Sequence, residues 1–318
     1  MSKNKSHVVT ARPRKMSFLQ KVVKYRVLLL MCLPAIVFFF AFSYLPMPGA
    51  YVAFTSYNYR KGIFGSEFVG WDNFKFLFES GKIWLLTKNT ILYNIAFILL
   101  GNLLAIFMAI LFNEIKKKIF KKTAQTIMFL PYFISDVLVG LLIYNLLNSD
   151  FGFVNSIITS LGGKKISFYD NPNIWPGLIV LINLWKSTGY NTVVYFAAIC
   201  GIDQEIIEAA RVDGANGFQK IRHIILPSLK PTFVILLLFA MGGIIRGNFG
   251  LFYNIIGSNS MLFKTTDIIE TFVYRATVND FNFQTASAVG LYQSVFGFIL
   301  VVVCNKIVSK IDPDYSLF

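Results

Sequence analysis

Three ionisable side chains, Asp136, Lys186 and Arg246, fall within or beside stretches whose other residues are mostly apolar. Charged groups in such surroundings usually face protein or a water-filled cavity, and they mark paths for polar solutes. Arg246, in GGIIRGNFG, can donate hydrogen bonds beside Asn248. Trp185, Tyr190, Tyr195, Phe249, Tyr253 and Tyr292 offer flat apolar faces, and Gln293 offers an amide. Small-molecule sites are commonly lined by such a mixture. Each residue also has a plainer use. Asp136 can cap a broken helix, Lys186 can meet a neighbouring polar group, and a long cationic stem can snorkel to an interface. In a chain with 33 Phe and 15 Tyr, any one aromatic is more often packing or lipid-facing.

A second constellation is compact: EAARVDGANGFQKIRHIILP, from Glu208 to Pro227, is polar and sits between long apolar runs. Asp203 can cap a helix that opens at Gln204. The small side chains of Ala209 and Ala210 would let that helix enter a groove closely, and Glu208 could pair with a partner's basic residue. Gly214 permits a turn with positive φ. Phe218, Ile221, Ile224 and Ile225 follow at roughly helical spacing, and Pro227 and Pro231 bracket the entrance to the next apolar run. From the residues alone the block reads either as a docking helix with an elbow or as an ordinary interfacial loop.

Other chemistry finds little support. SLGGKKIS lacks both the earlier glycine and the hydroxyl residue directly after lysine that a P-loop requires, so ATP hydrolysis is not expected of this chain. Cys32, Cys200 and Cys304 show no metal or disulfide spacing, and all three are expected as small buried hydrophobes. No residue is a candidate for catalysis, metal ligation or cofactor binding.

The elements that must position these groups follow from composition. The chain has 318 residues, 55% of them hydrophobic and only 14% charged. A soluble domain carries about 25% charged residues. An all-α, polytopic membrane protein is expected, with spans of about 20 apolar residues. Six can be drawn, at residues 27–45, 90–112, 126–147, 174–198, 232–256 and 286–303, with Pro34, Pro131, Gly242, Gly243 and Gly290 as sites of kinking or close packing. The first is read as an uncleaved span rather than a signal peptide. With the N-terminus inside, Lys and Arg favour the cytoplasmic segments about two to one. The net charge of +14 is then a topology signal, not a nucleic-acid footprint. Residues 1–26 form a cytoplasmic segment, 27–303 the membrane domain with a cytoplasmic loop at 201–230, and 304–318 a cytoplasmic tail. Outside, Asp72 is expected to cap a turn before Phe74, Leu77 and Phe78, and an amphipathic helix is expected from Asp267 to about Ala276.

Glu208-Ala209-Ala210, three residues, Gly214, nine residues, then IILP resembles the EAA loop of bacterial binding-protein-dependent ABC importer permeases. EAARVDGA, WDNF at 71–74, KNT at 88–90, LPYFIS at 130–135 and WKSTGYNTVVYFAAICGID at 185–203 are similar to the carbohydrate permeases of that family. DIIETFVYR, QTASAVGLYQS and the terminal KIDPDYSLF resemble a subgroup for oligosaccharides or polysaccharide fragments. The resemblance implies a type I importer permease fold in the bacterial plasma membrane. It also implies contact of Glu208, Ala209, Ala210, Asp213 and Gly214 with two ATP-binding subunits, which would hold the ATP and Mg2+. A second homologous permease, an extracytoplasmic solute-binding lipoprotein and a sugar substrate complete the implied assembly. The sugar path would draw on Trp185, Lys186, Tyr190, Arg246, Asn248, Phe249, Tyr292 and Gln293. The rival readings are a same-superfamily permease for another solute, a secondary transporter with midplane carboxylates, and a membrane sensor or scaffold.

Overall fold

The computed structural model describes residues 17–311. The expected N-terminal segment therefore lies outside the described residues as far as residue 16, and so does most of KIDPDYSLF. The chain divides into two units, Met1–Ala50 and Tyr51–Phe318.

In the first unit, helix α1 (Arg26–Phe39) continues through a π-helical turn, Phe40–Tyr44. Leu30, Phe38 and Phe42 are among its many exposed apolar side chains. A helix that is apolar all round is built for lipid.

The second unit is a helical bundle with one two-residue antiparallel ladder, Thr55–Ser56 against Glu67–Phe68. The helices that position the site and its surroundings are α2 (Asp72–Glu79), α3 (Lys82–Glu114), α4 (Lys118–Phe129), α5 (Asp136–Leu147), α6 (Trp175–Cys200), α7 (Gln204–Val212), α8 (Gly217–Gly242), α9 (Phe249–Ile256), α10 (Ile269–Val278) and α11 (Phe283–Ile311), and shorter helical pieces, Phe153–Ser160 among them, lie between these. Gly101, Ala105 and Ala109 repeat every four residues along α3 and are buried. That strip of small side chains lets α6 approach closely, and Tyr195 and Ile199 of α6 share a core with Ala105 and Ala109. Gly140 of α5 fits closely against α9, where a Cβ would overlap the carbonyl of Asn254.

The structure revises the expected count of six spans. Among the described residues, four helices are long and apolar enough to cross a membrane, or five if one bent pair counts as a span. The expected third span is that pair: Lys118–Phe133 and Asp136–Leu147 meet at a bend of 97°. Pro131 removes a backbone donor there, and Ser135 caps the new helix by accepting from the Leu138 amide. The expected fourth span forms as α6, but Asn183, Lys186, Ser187, Thr188, Asn191 and Thr192 dilute its apolar character, and it is not among the four. The expected fifth span is broken. α8 starts earlier, at Gly217, and ends at Gly242, and residues 243–248 are unwound before α9. Pro227 and Pro231 therefore lie inside α8 rather than bracketing its entrance, and a π-helical turn, Ile221–Ile225, ends two residues before the first of them.

Two smaller expectations also change. Trp71, not Asp72, is the N-cap of α2. Cys32 and Cys200 are exposed and Cys304 is half-buried, and all three are free. A membrane protein turns small apolar side chains towards lipid as readily as towards its core.

Asp267 joins α3 to α10. Its side chain is fully buried, lies 3.2 Å from Lys82, pairs with Arg275 and accepts from Thr271. Arg275 also lies over the Phe263 ring at 3.9 Å. Removing one partner from a buried ionic cluster leaves uncompensated charge and costs roughly 3–5 kcal/mol. Asp267→Asn is accordingly expected to lower the thermal unfolding midpoint of the protein in detergent by several degrees, and an unchanged midpoint would overturn the assignment.

Candidate functional site

The break at residues 243–248 brings side chains from four helices together. Unwinding leaves backbone carbonyls without helical partners, and in an apolar environment each unpaired one is costly. Asn94 of α3 donates through its amide nitrogen to the carbonyls of Ile244 and Arg246, each at 3.0 Å. Gln293 of α11 donates to the carbonyl of Ile245 at 2.8 Å and to the Glu270 carboxylate of α10 at 2.7 Å. The other Glu270 oxygen is buried against Gly247, where it would meet any Cβ. Burial pushes the Glu270 carboxyl up from its ordinary value, and the hydrogen bond from Gln293 opposes that rise.

Arg246 stands exposed on this loop. Asn248 acts locally, since its side chain caps α9 by accepting from the Leu251 amide at 3.1 Å. Phe249 and Tyr253 stack at 5.1 Å, with Tyr274 of α10 against both. An open cleft of about 370 Å³ runs past Phe249, Tyr274, Thr277, Glu270 and Gln293. Arg246, Asn248, Phe249, Tyr253 and Gln293 thus share one neighbourhood.

Lys186 and Asp136 pair with each other, both partly exposed. The neighbouring polar group expected for Lys186 is therefore Asp136, the first residue of α5. The second Asp136 oxygen lies against Gly250, which connects this pair to α9 and the break. Tyr190 stacks on Tyr132 at 4.8 Å and 15°, so one of its faces is covered; Trp185 is exposed. Two candidates belong elsewhere. Tyr195 is fully buried and donates to Asn102, a packing role. Tyr292 shares a hydrogen bond with Thr87 at 3.0 Å and lines a separate apolar cavity with Trp71, Phe78 and Phe296.

Asn94, Glu270 and Tyr274 are not among the residues that the sequence singles out. Glu270 and Tyr274 stand in DIIETFVYR, but by its pattern that helix reads as a surface element. Asn94 is one amide in a long apolar run, and nothing local announces its distant partner.

The polar block takes a defined shape. Asp203 caps α7 by accepting from the Glu205 amide at 2.9 Å, as expected. Gly214 ends the turn at φ +79°, and the Ala215 amide closes on the Ala210 carbonyl at 2.9 Å. Asn216 and Gln219 then cap the start of α8 reciprocally. Glu208, Ala209, Asp213 and Gly214 are exposed and Ala210 is half-buried. Ile206, Val212 and Phe218 are exposed too, apolar side chains that the other described residues leave uncovered.

Unwound backbone inside a membrane bundle is tolerated where protein or a water-filled cavity takes up its polar groups, so the fold and this site together are those of a polytopic membrane protein with a polar interior. Residues 101–312 match the family described as binding-protein-dependent transport system inner membrane component, and the chain belongs to that family. Over 307 residues it is 34% identical to the polygalacturonan/rhamnogalacturonan transport system permease protein YteP of Bacillus subtilis, covering 96% of this chain and 95% of that one. It is also 34% identical over 287 residues to protein LplB of the same organism, covering 90% of each. Among solved structures it resembles a chain of a bacterial alginate ABC transporter crystallised with an alginate pentasaccharide-bound periplasmic protein. The TM-score is 0.83 at 31% identity, covering 92% of this chain and 98% of that one.

The interlock predicts a local effect. Gln293→Leu would leave the Ile245 carbonyl and one Glu270 oxygen unpaired, at about 1–3 kcal/mol for each buried group. Amide exchange across residues 244–250 is expected to accelerate at least tenfold. An unchanged exchange pattern would remove Gln293 from this role.

Proposed function

We propose that the chain is one of two membrane subunits of an ATP-driven importer for an oligosaccharide or polysaccharide fragment. Separate ATPase subunits drive it through α7 and the turn at Gly214, and an extracytoplasmic binding protein delivers the sugar. The observation that carries the coupling role is the exposed, capped α7, whose apolar Ile206 and Val212 are exposed along with Phe218 at the start of α8. A rigid helix that presents small side chains, an acid and an apolar rim suits a cleft in another protein. The relatives named for polygalacturonan, rhamnogalacturonan and alginate support a sugar as cargo. The cleft beside Phe249 and Tyr274 supports it as well, since aromatic faces pack on the C–H face of a sugar ring and Arg246 can reach its hydroxyl groups.

In this reading the ATPases hold ATP and Mg2+, close on ATP and push on Glu208–Gly214, and hydrolysis resets them. The free energy acts by changing which of two helix packings is favoured. Both termini are cytoplasmic, following the Lys and Arg distribution, and the bent pair and the less apolar α6 both cross to keep the number of crossings even.

Gly214→Val tests the coupling role. A Cβ at Gly214 would meet nothing within 4 Å, so crowding is not the issue. The strain comes from φ +79°, which a β-branched residue resists at a cost of about 1–3 kcal/mol. The variant is expected to insert normally and assemble, while labelled-oligosaccharide uptake per ATP hydrolysed in reconstituted vesicles falls at least fivefold. Wild-type coupling would sink the assignment.

Orientation has its own test. With Cys32, Cys200 and Cys304 replaced by Ala, an impermeant maleimide should label Lys164→Cys in intact cells and Lys117→Cys only after lysis. The reverse pattern would invert the topology.

A further inference from the structure

Between α7 and the ends of α3, α6 and α8 lies a cavity of about 320 Å³, separate from the broken-helix site. Lys116, Arg211 and Lys220 line it, together with Glu114, and its apolar wall includes Ile207 and Ile224. Among the described residues, none of these four charged side chains forms an ion pair. Three cations against one carboxylate leave a net positive cavity.

Its depth in the membrane follows from α3. That helix is one of the four long enough to span and ends at Glu114, so the cavity lies at a boundary between bilayer and water. Lys117, Lys118, Lys121 and Lys122 continue the basic band beside it. A free anion has no use for an isoleucine wall, and a purely apolar ligand has none for three unpaired cations. An amphiphile with a negative head uses both. Basic pockets between helices on the cytoplasmic side are suited to anionic headgroups.

We propose that this cavity is a binding site for an anionic phospholipid. The phosphate sits among Lys116, Arg211 and Lys220, and the first part of an acyl chain runs along Ile207 and Ile224. The headgroup would thereby tie Arg211 of α7 to Lys116 just beyond α3 and Lys220 on α8, so that α7 answers to the composition of the leaflet it touches. The assignment to the cytoplasmic leaflet rests on the orientation proposed above.

The test is a titration of the full-length protein, purified in nonionic detergent with the subunits that accompany it, using short-chain phosphatidylglycerol. Bound lipid is counted by native mass spectrometry. Saturable binding of one lipid per chain is expected, with phosphatidylcholine binding at least tenfold more weakly. Lys116→Gln with Lys220→Gln should weaken phosphatidylglycerol binding roughly 30-fold, at the usual increment for each basic side chain near an anionic surface. Lys116→Arg with Lys220→Arg should restore it. Should the neutral double variant fail to fold, Lys116→Gln alone, at an exposed position, must weaken binding about fivefold.

Equal binding of the two lipids, or unchanged binding by the neutral variants, would overturn the proposal. Displacement of the lipid by inorganic phosphate at comparable concentration would reassign the cavity to a free anion. Binding in detergent does not depend on which way the chain faces, whereas the maleimide experiment reads orientation alone. Failure of one is therefore distinguishable from failure of the other.

Discussion

The structure depends on where the unwound backbone at residues 243–248 sends its carbonyls. Asn94 takes two and Gln293 takes a third, and Gln293 also holds Glu270. Those side chains come from α3, α10 and α11, so three helices are fastened to one short loop. In an apolar setting the alternative is unpaired polar backbone. The loop can therefore remain open only while its neighbours stay in register, and that requirement fixes the surroundings of Arg246, Phe249 and Gln293.

The same logic governs the remaining charges. Asp136 and Lys186 satisfy each other beside α9, and Asp267 satisfies Lys82 and Arg275 between α3 and α10. Arg246 differs, being exposed and without an ion pair among the described residues. Most charges near the broken segment hold helices in place, and few are free to meet a solute. Phe249, Tyr253 and Tyr274 form an aromatic shelf beside the same segment.

What can be read from the sequence depends on whether a signal is local. The cap at Asp203, the positive φ at Gly214 and the motif around Glu208 are written in neighbouring residues, and the structure reproduces the cap and the turn as expected. Apolar runs locate the helices but not their continuity. In the run from Thr232 to Ile256 the glycines of GGIIRGNFG mark a place where the helix can kink, but not what holds it open, because the stabilising amides lie about 150 and 50 residues away, at Asn94 and Gln293. Glu270 is hidden for a similar reason: an acid on a short amphipathic helix looks solvated until its distant partner is known. Tyr292 and Gln293 are adjacent in sequence yet face different surroundings, which residue type alone cannot separate.

The merging of the polar block with α8 has a mechanical consequence. The helix that begins at Gly217, three residues after the elbow, continues through its π-helical turn and two prolines for 26 residues to Gly242. At 1.5 Å per residue it is a rod of about 39 Å, long enough to cross the hydrocarbon layer. One end of that rod abuts the turn at Gly214, and the other ends where Arg246 and its loop begin. A small tilt imposed at the first end is delivered to the second as a lateral displacement of several ångströms, without any change in the rod itself. Distance between the turn at Gly214 and the loop at Arg246 is then no obstacle, because one continuous helix reaches both.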